Sequence, residues 1–435
     1  MHQLLLVLLG LLTCICTRHA VAAEVTAVVR AARILDVEKG AILTGHEVRV
    51  AGERIVAVAP ATSGSPRRGV TILDLGDATL LPGLIDVHTH LIDDAMEYSP
   101  AAPLTRSGAQ MAYRAIPNAL ATLRAGFTTV RDLGTYRALV DVALRDAIDR
   151  GWVAGPRMQP AGAYVTMTGG AGALTGLAPD VTLPLELRFG VADGPDQVRQ
   201  RVRALARGGV GVIKVLSSGA ILTPGSVPGA REFTDEELGA AVDEAARAGL
   251  KVACHAHGAE GAKAAIRAGV ASIEHGSLLD DEGLRMMKAK GIFLAPNVPE
   301  GEADAAASPG HTPEMLASGE GLGGALREVT RKAHRLGVPL AFGTDAAVIP
   351  HGTNAKQFAE YVACGLTPLE AIRTATTNAA RLLGWEDRVG RLTPGAFADM
   401  IAVGGNPLED VKRLEKPLFV MKGGGVIVGP SGVAR

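Results

Sequence analysis

A chain of 435 residues, 47% of them hydrophobic, is long enough to bury a large core, as two or three domains or as one large barrel with an appendage. A formal net charge of −1 argues against nucleic acid or an anionic membrane surface as partner, and 3% aromatics leave little surface for stacking bases. Of four cysteines only Cys254 and Cys364 lie beyond the N-terminal stretch described next, too few for a disulfide framework.

Residues 1–23 read as an export signal. The apolar stretch Leu4 to Cys16 is too short to span a bilayer, and Ala20-Val21-Ala22-Ala23 is a small-residue cleavage pattern. The protein is therefore expected to be exported, periplasmic or secreted, with no stable membrane insertion after signal removal. Leu11-Leu12-Thr13-Cys14 matches a lipoprotein box in part, but Thr13 fits poorly just before the cysteine, which argues against lipid anchoring.

From 24 to 80 the runs AVVRAARIL, HEVRVAGERIVAVAP and VTILDLG alternate and break at turn residues, which predicts antiparallel β structure and the first part of a small β-sandwich. The second part is expected at 387–435, where Gly390 to Gly395 leads into DMIAVGG and PLFVMKGGGVIVG. The central block, 81–386, is then inserted between two halves of one β domain.

That block alternates strand and helix. Strand candidates are LIDVHTH, FTTVRDLG, RMQPAGAYV, GVIKVLSSG, KVACHAH, SIEHGS, IFLAPN and LAFGTDA. Helical stretches between them include Gly108 to Arg124, Tyr136 to Arg150, Pro195 to Arg207, Thr234 to Ala248 and Gly258 to Ala268, and Thr234 with Glu237 forms a capping-box start. The pattern predicts an α/β fold, a (β/α)8 TIM-like barrel, with chemistry at the C-terminal ends of its strands.

Every candidate ligand falls at such an end. His88 and His90 share one face of the first strand, so both can reach one ion; alone they are as easily ordinary polar side chains. Lys214 lies in the apolar run Val210 to Leu216, where an ammonium is costly unless paired or chemically changed. It either points outward to a salt bridge or reacts with CO2 to give a carbamate able to bridge two divalent ions. His255 ends KVACH with His257 on the same face, His275 ends SIEHG, and Asp345 ends AFGTD, where a helix cap is the competing role. Jointly, four imidazoles, a buried lysine and a carboxylate point to a binuclear metal site.

This order, His-x-His on strand one, Lys on strand four, His on strands five and six and Asp on strand eight, resembles the two-metal amidohydrolase superfamily over nearly all of the mature chain. GFTTVRDLG, VTMTGG, HAHG, SIEHG and GTDA resemble its imidazolonepropionase-like group, which includes metal-dependent Xaa-Pro dipeptidases, carboxypeptidases and ochratoxin-hydrolysing amidases. The resemblance implies that His88, His90 and Asp345 hold one metal, that His255 and His275 hold the other, and that carboxylated Lys214 bridges them. It also implies a homo-oligomer.

Two divalent ions about 3.5–4 Å apart acidify a bridging water and polarise a scissile carbonyl, and the bridging hydroxide is the expected nucleophile. Zinc suits the imidazole and carboxylate ligands, with manganese or cobalt as substitutes. Asp345 is the expected proton carrier, and His257 either meets the carbonyl or carboxylate of the substrate or orients a ligand. Tyr164, Arg231, His257 and His351 lie on loops that could line a pocket for a C-terminal carboxylate. The family pattern places a histidine in the glycine run after TMTGG, where this chain has Ala171; the expected consequence is a wider, more apolar pocket. The expected substrate is a small amide or short peptide cleaved at the bond to a C-terminal amino acid. A cyclic-amide hydrolase of the imidazolonepropionase type is the alternative, disfavoured by Lys214. A deaminase of the same superfamily would carry a glutamate shortly after His255, where this chain has Ala256, His257 and Gly258, and a non-catalytic scaffold would have lost ligands.

Overall fold

A computed structural model describes residues 24–62, 68–93, 102–178, 180–299, 313, 317 and 319–429. The export signal expected at 1–23 lies outside the described residues.

Both ends of the chain build the β portion. A four-stranded sheet runs in the order Arg54–Pro60, His46–Ala51, Ala27–Arg30, Thr71–Asp74. A six-stranded sheet runs Gly425–Val428, Phe419–Lys422, Met400–Gly404, Ala78–Pro82, Arg33–Asp36, Ala41–Leu43. Met400–Gly404 is antiparallel to Ala78–Pro82 with Ile401 opposite Leu81, so the two halves expected from the sequence share one sheet. Val29, Ile34, Val48, Ile55, Leu80, Met400 and Phe419 form one buried cluster of this portion.

Antiparallel pairing fails in two places among the described residues. Ala27–Arg30 pairs parallel with Thr71–Asp74, and Arg33–Asp36 pairs parallel with Ala78–Pro82. The cause is a repeated crossing: each of two chain segments leaves the small sheet and enters the large one in the same direction, which lays equivalent strands parallel.

Ala78–Pro82 passes through Gly83 directly into the first barrel strand, Leu84–Thr89. A β-carbon at Gly83 would overlap the Thr128 side chain, so the glycine permits this close approach. Parallel pairing joins Leu84–Thr89, Phe127–Asp132 and Arg157–Pro160 in one sheet, and Tyr164–Val165, Ile213–Leu216, Val252–Gly258, Ser272–Leu278 and Phe293–Ala295 in another. The expected third strand thus splits in two around Gly162, whose φ is +79°.

The expected eighth strand is not a regular strand. Residues 340–346 make single bridges instead, Leu340 to Leu294 and Ala346 to Thr89, while Val87 N–H donates to Phe342 O (2.8 Å) and Asp345 N–H to His88 O (2.8 Å). Asp345 at φ +59° and Ala347 at +126° break the extended geometry a ladder needs.

Helices Gly108–Arg124 and Asp235–Arg247 begin with capping boxes, Ser107 with Gln110 and Thr234 with Glu237, the second as expected. The expected helix from Tyr136 shortens to Val140–Asp149, because Leu139 takes φ +66°. The outward faces of the strands, Ile213, Val215, Cys254 and Ile273, are completely buried under the helices. Each such side chain contributes roughly 1.5–3 kcal/mol.

The interior holds a charge. Arg131 is 1% exposed and crosses the barrel beneath the site, with Nε on Val87 O (2.6 Å), one terminal nitrogen on Ser272 Oγ (3.0 Å) and the other on Glu274 Oε1 (2.7 Å).

Candidate metal centre

His88 and His90 leave the first strand toward one carboxylate. His88 Nε2 lies 3.4 Å and His90 Nε2 3.2 Å from Asp345 Oδ1. Each ring is held by its other nitrogen: His88 Nδ1 is 3.0 Å from Glu274 Oε2, and His90 Nδ1 is 2.8 Å from Gly134 O. Fixing Nδ1 in this way points Nε2 at the cluster.

On the far side, the His255 ring centroid is 4.7 Å from that of His275 and 4.8 Å from that of His257. His275 also sits 5.0 Å from His88, so it joins the two halves of the cluster. His255 Nε2 is 3.3 Å from Gly219 O, and His257 Nδ1 is 2.9 Å from Ser277 Oγ. Lys214, 2% exposed, lies opposite Ala253 in the register that sets Leu216 opposite His255.

His275 at φ +66° and Asp345 at +59° are both in the left-handed region, which costs non-glycine residues energy and persists where the surroundings enforce it. The turn at His275 has a second effect. Along Ser272–Leu278, Ser272 and Glu274 face the interior, and strict alternation would send His275 outward; the positive φ turns it inward too.

Burial governs the charges. It pushes His88 and His257 down to about 4 and His255 and His275 well below the usual imidazole value, so all four are neutral and able to donate a lone pair. Burial acts on His90 likewise, but the Asp345 carboxylate overrides it and raises His90 to about 9. Burial lowers Lys214 to about 8 against the opposing pull of Glu274 and Asp345. Asp345 itself is held well below the usual carboxylate range, the imidazoles and Lys214 outweighing its burial.

The donor set fits divalent metal. Ligand atoms of His255, His257 and His275 lie within 4.8 Å of one another, and so do those of His88, His275 and Asp345. Neutral imidazole lone pairs converging in a buried space are a poor arrangement without a cation to share them. His275 belongs to both groups, and His257 stands among the potential ligands.

Of the pocket residues expected from sequence, Tyr164 and His257 reach the cluster. Tyr164 Oη lies 3.2 Å from His90 Nδ1 and donates to Gly134 O at 3.1 Å. Arg231 is turned the other way, donating to Phe233 O (2.7 Å) and to the Asp235 carboxylate at the start of a helix. His351 Nε2 lies 3.2 Å from Asp93 O, linking the loops that follow the first and eighth segments. Ala171 is buried, and its N–H donates to Glu232 at 2.8 Å to Oε1 and 3.1 Å to Oε2. Burial raises that carboxyl to about 7.

Sequence reasoning missed Glu274, Arg131, Ser277 and Glu232. A signal was present for the first two, since each is a charge inside an otherwise apolar strand motif, SIEHG and FTTVRDLG.

Residues 79–428 match the Amidohydrolase family, and the chain belongs to it. It is a hydrolytic enzyme acting on carbon–nitrogen bonds, in a family that generally uses a binuclear metal centre. Ochratoxinase from Aspergillus niger is 35% identical over 380 residues, covering 81% of this chain and 76% of that protein. The crystal structure of that ochratoxinase superposes with a TM-score of 0.82 at 31% identity, over 94% of this chain and 97% of its own. The crystal structure of a Xaa-Pro dipeptidase with bound methionine in the active site superposes with a TM-score of 0.86 at 36% identity, over 93% of this chain and 100% of its own. Imidazolonepropionase from Paracoccus denitrificans is 32% identical over 180 residues, 39% of each chain.

Proposed function

We propose that this enzyme hydrolyses the amide bond to a free C-terminal amino acid, in a dipeptide, an N-acyl amino acid or an amide of the ochratoxin type. The observation that carries the reading is the pair of ligand groups sharing His275, with Lys214 buried on the strand beside the one that supplies His255 and His257. The relatives support it: one is an ochratoxinase and another a Xaa-Pro dipeptidase holding an amino acid in its active site.

His88, His90 and Asp345 would hold one ion, His255 and His275 the other, and Lys214, carboxylated by CO2, would bridge. Zinc suits this mixture of imidazole and carboxylate best. Two such ions supply Lewis acidity to the scissile carbonyl and lower the pKa of water. The protein does the rest. The neutral Lys214 amine attacks CO2 and releases one proton, forming an N–C bond and leaving an anion where an ammonium was disfavoured. Asp345, held ionised, accepts a proton from the attacking water and delivers it to the leaving nitrogen. His257, fixed through Ser277, turns its other ring nitrogen toward the carbonyl oxygen or the carboxylate of the substrate. Tyr164 buttresses His90 and lines the pocket beside it. Export to the periplasm or medium and assembly into a homo-oligomer belong to the same proposal.

Purified metal-loaded protein offered dipeptides, N-acyl amino acids and ochratoxin-like amides is expected to release free amino acid, with about two ions bound per chain. Release from none of them ends this reading.

A further inference from the structure

Asn297 stands two residues beyond Phe293–Ala295, the seventh barrel strand, at the end where the histidines gather. It is 8% exposed, and neither Oδ1 nor Nδ2 has a hydrogen-bond partner among the described residues. A buried carboxamide with both ends unpaired is costly, and native structures retain such a group where something else satisfies it. The backbone carries a second cost there, with φ at +52°.

The chain makes room for this amide. A β-carbon placed at Gly343 would lie 2.9 Å from His88 Cβ and 3.3 Å from Asn297 Nδ2. Gly343 is not at positive φ, so its small size serves close approach, and that approach brings the Asn297 amide beside the His88 side chain.

We propose that Asn297 is a substrate-recognition residue that reads the acyl side of the scissile amide. Oδ1 accepts from an N–H of the acyl group and Nδ2 donates to a carbonyl oxygen on the same edge. An extended amino-acid residue presents its own N–H and C=O side by side in this way. The class selected is an acyl group that is itself an N-acylated amino acid, which narrows the amide hydrolysis proposed above and rests on it.

Two compounds that release L-phenylalanine isolate the N–H: benzoylglycyl-L-phenylalanine, and 3-benzoylpropionyl-L-phenylalanine, in which CH2 replaces the N–H. Wild-type kcat/KM is expected to favour the first by about tenfold or more, because the second leaves Oδ1 unpaired. N297G, which keeps the positive φ accessible, and N297A are expected to bring the ratio within about twofold while still binding metal. A purely structural role for Asn297 would lower both rates together and preserve the ratio, and that result overturns the inference. So does a wild type that cleaves both compounds equally. If the wild type cleaves neither these nor any other amide, the hydrolytic reading fails by itself. Calorimetric binding of benzoylglycyl-L-phenylalanine then decides, tighter for wild type than for N297G supporting the inference and equal affinities overturning it.

Discussion

His88 and Glu274 come from strands on different sides of Arg131, and their contact, Nδ1 to Oε2 at 3.0 Å, decides which imidazole nitrogen faces the metal cluster. Arg131 and His88 together hold Glu274 ionised, down to about 2, despite complete burial. The arginine therefore acts on the site through the glutamate. E274Q keeps the shape and weakens the acceptor; metal affinity is expected to fall about 10–100-fold, read by competition with a chelator. E274A leaves Arg131 buried without its anion and is expected to destabilise the fold by roughly 3–5 kcal/mol, read by denaturant unfolding.

Lys214 carries the next prediction. K214A removes the proposed bridging anion and is expected to lower kcat by about 10²–10³. Short carboxylic acids are expected to restore part of the activity by supplying a carboxylate, which a merely structural lysine would not allow. In wild type the amine must be neutral to react. With its value lowered to about 8, activation of metal-free protein by bicarbonate plus metal is expected to rise between pH 6 and 8 and then level. An ordinary lysine would keep climbing toward about 10.4.

The barrel and most metal-binding candidates were legible because parallel strands buried on both faces read as apolar runs, and a lone His or Lys inside such a run stands out. Helix Asp235–Arg247 was legible to its cap, since Thr234 and Glu237 are local signals. What escaped depends on geometry that composition does not encode. The charge of Glu274 stands out in SIEHG, but its inward direction does not, because the positive φ of His275 breaks the alternation; the lone bridges of residues 340–346 come from a similar departure at Asp345. Arg231 matched a loop position that fits a carboxylate pocket, but Asp235, four residues on, captures its guanidinium. Ala171 was read as a missing donor, whereas only the fold places Glu232 against it.

Glu232 gives a stability test. Its carboxyl is raised by burial from the ordinary 4.5 to about 7, so between these values the folded protein holds a proton that the unfolded chain has lost. Stability is then expected to fall as pH rises from 4.5 to 7, by the sign of the linkage relation. E232Q cannot ionise. Its Tm relative to wild type is expected to be higher at pH 8 than at pH 5, and an unchanged difference would show that the carboxyl titrates normally.

His90, as a proposed ligand, is expected to shape the pH dependence of metal loading. His88 beside it is neutral down to about 4, and burial holds His255 and His275 well below the usual imidazole value, so these proposed ligands would bind metal near neutrality without losing a proton. His90 is the exception: Asp345 keeps it protonated up to about 9 in the metal-free protein. A protonated imidazole is no ligand, so loading the ion that His90 is proposed to share with Asp345 is expected to expel a proton. The His90 share of the affinity for zinc is expected to strengthen about tenfold per pH unit between 6 and 8 and to flatten near 9. Calorimetry in buffers of different ionisation enthalpy is expected to show proton release beyond that accompanying carbamate formation, and H90N is expected to abolish that share together with its part of the slope. The metal-free protein should melt lower than the loaded one by an amount that grows with free zinc, as expected for a ligand that binds only the folded state. A loading affinity independent of pH across this range would remove His90 from the ligand set.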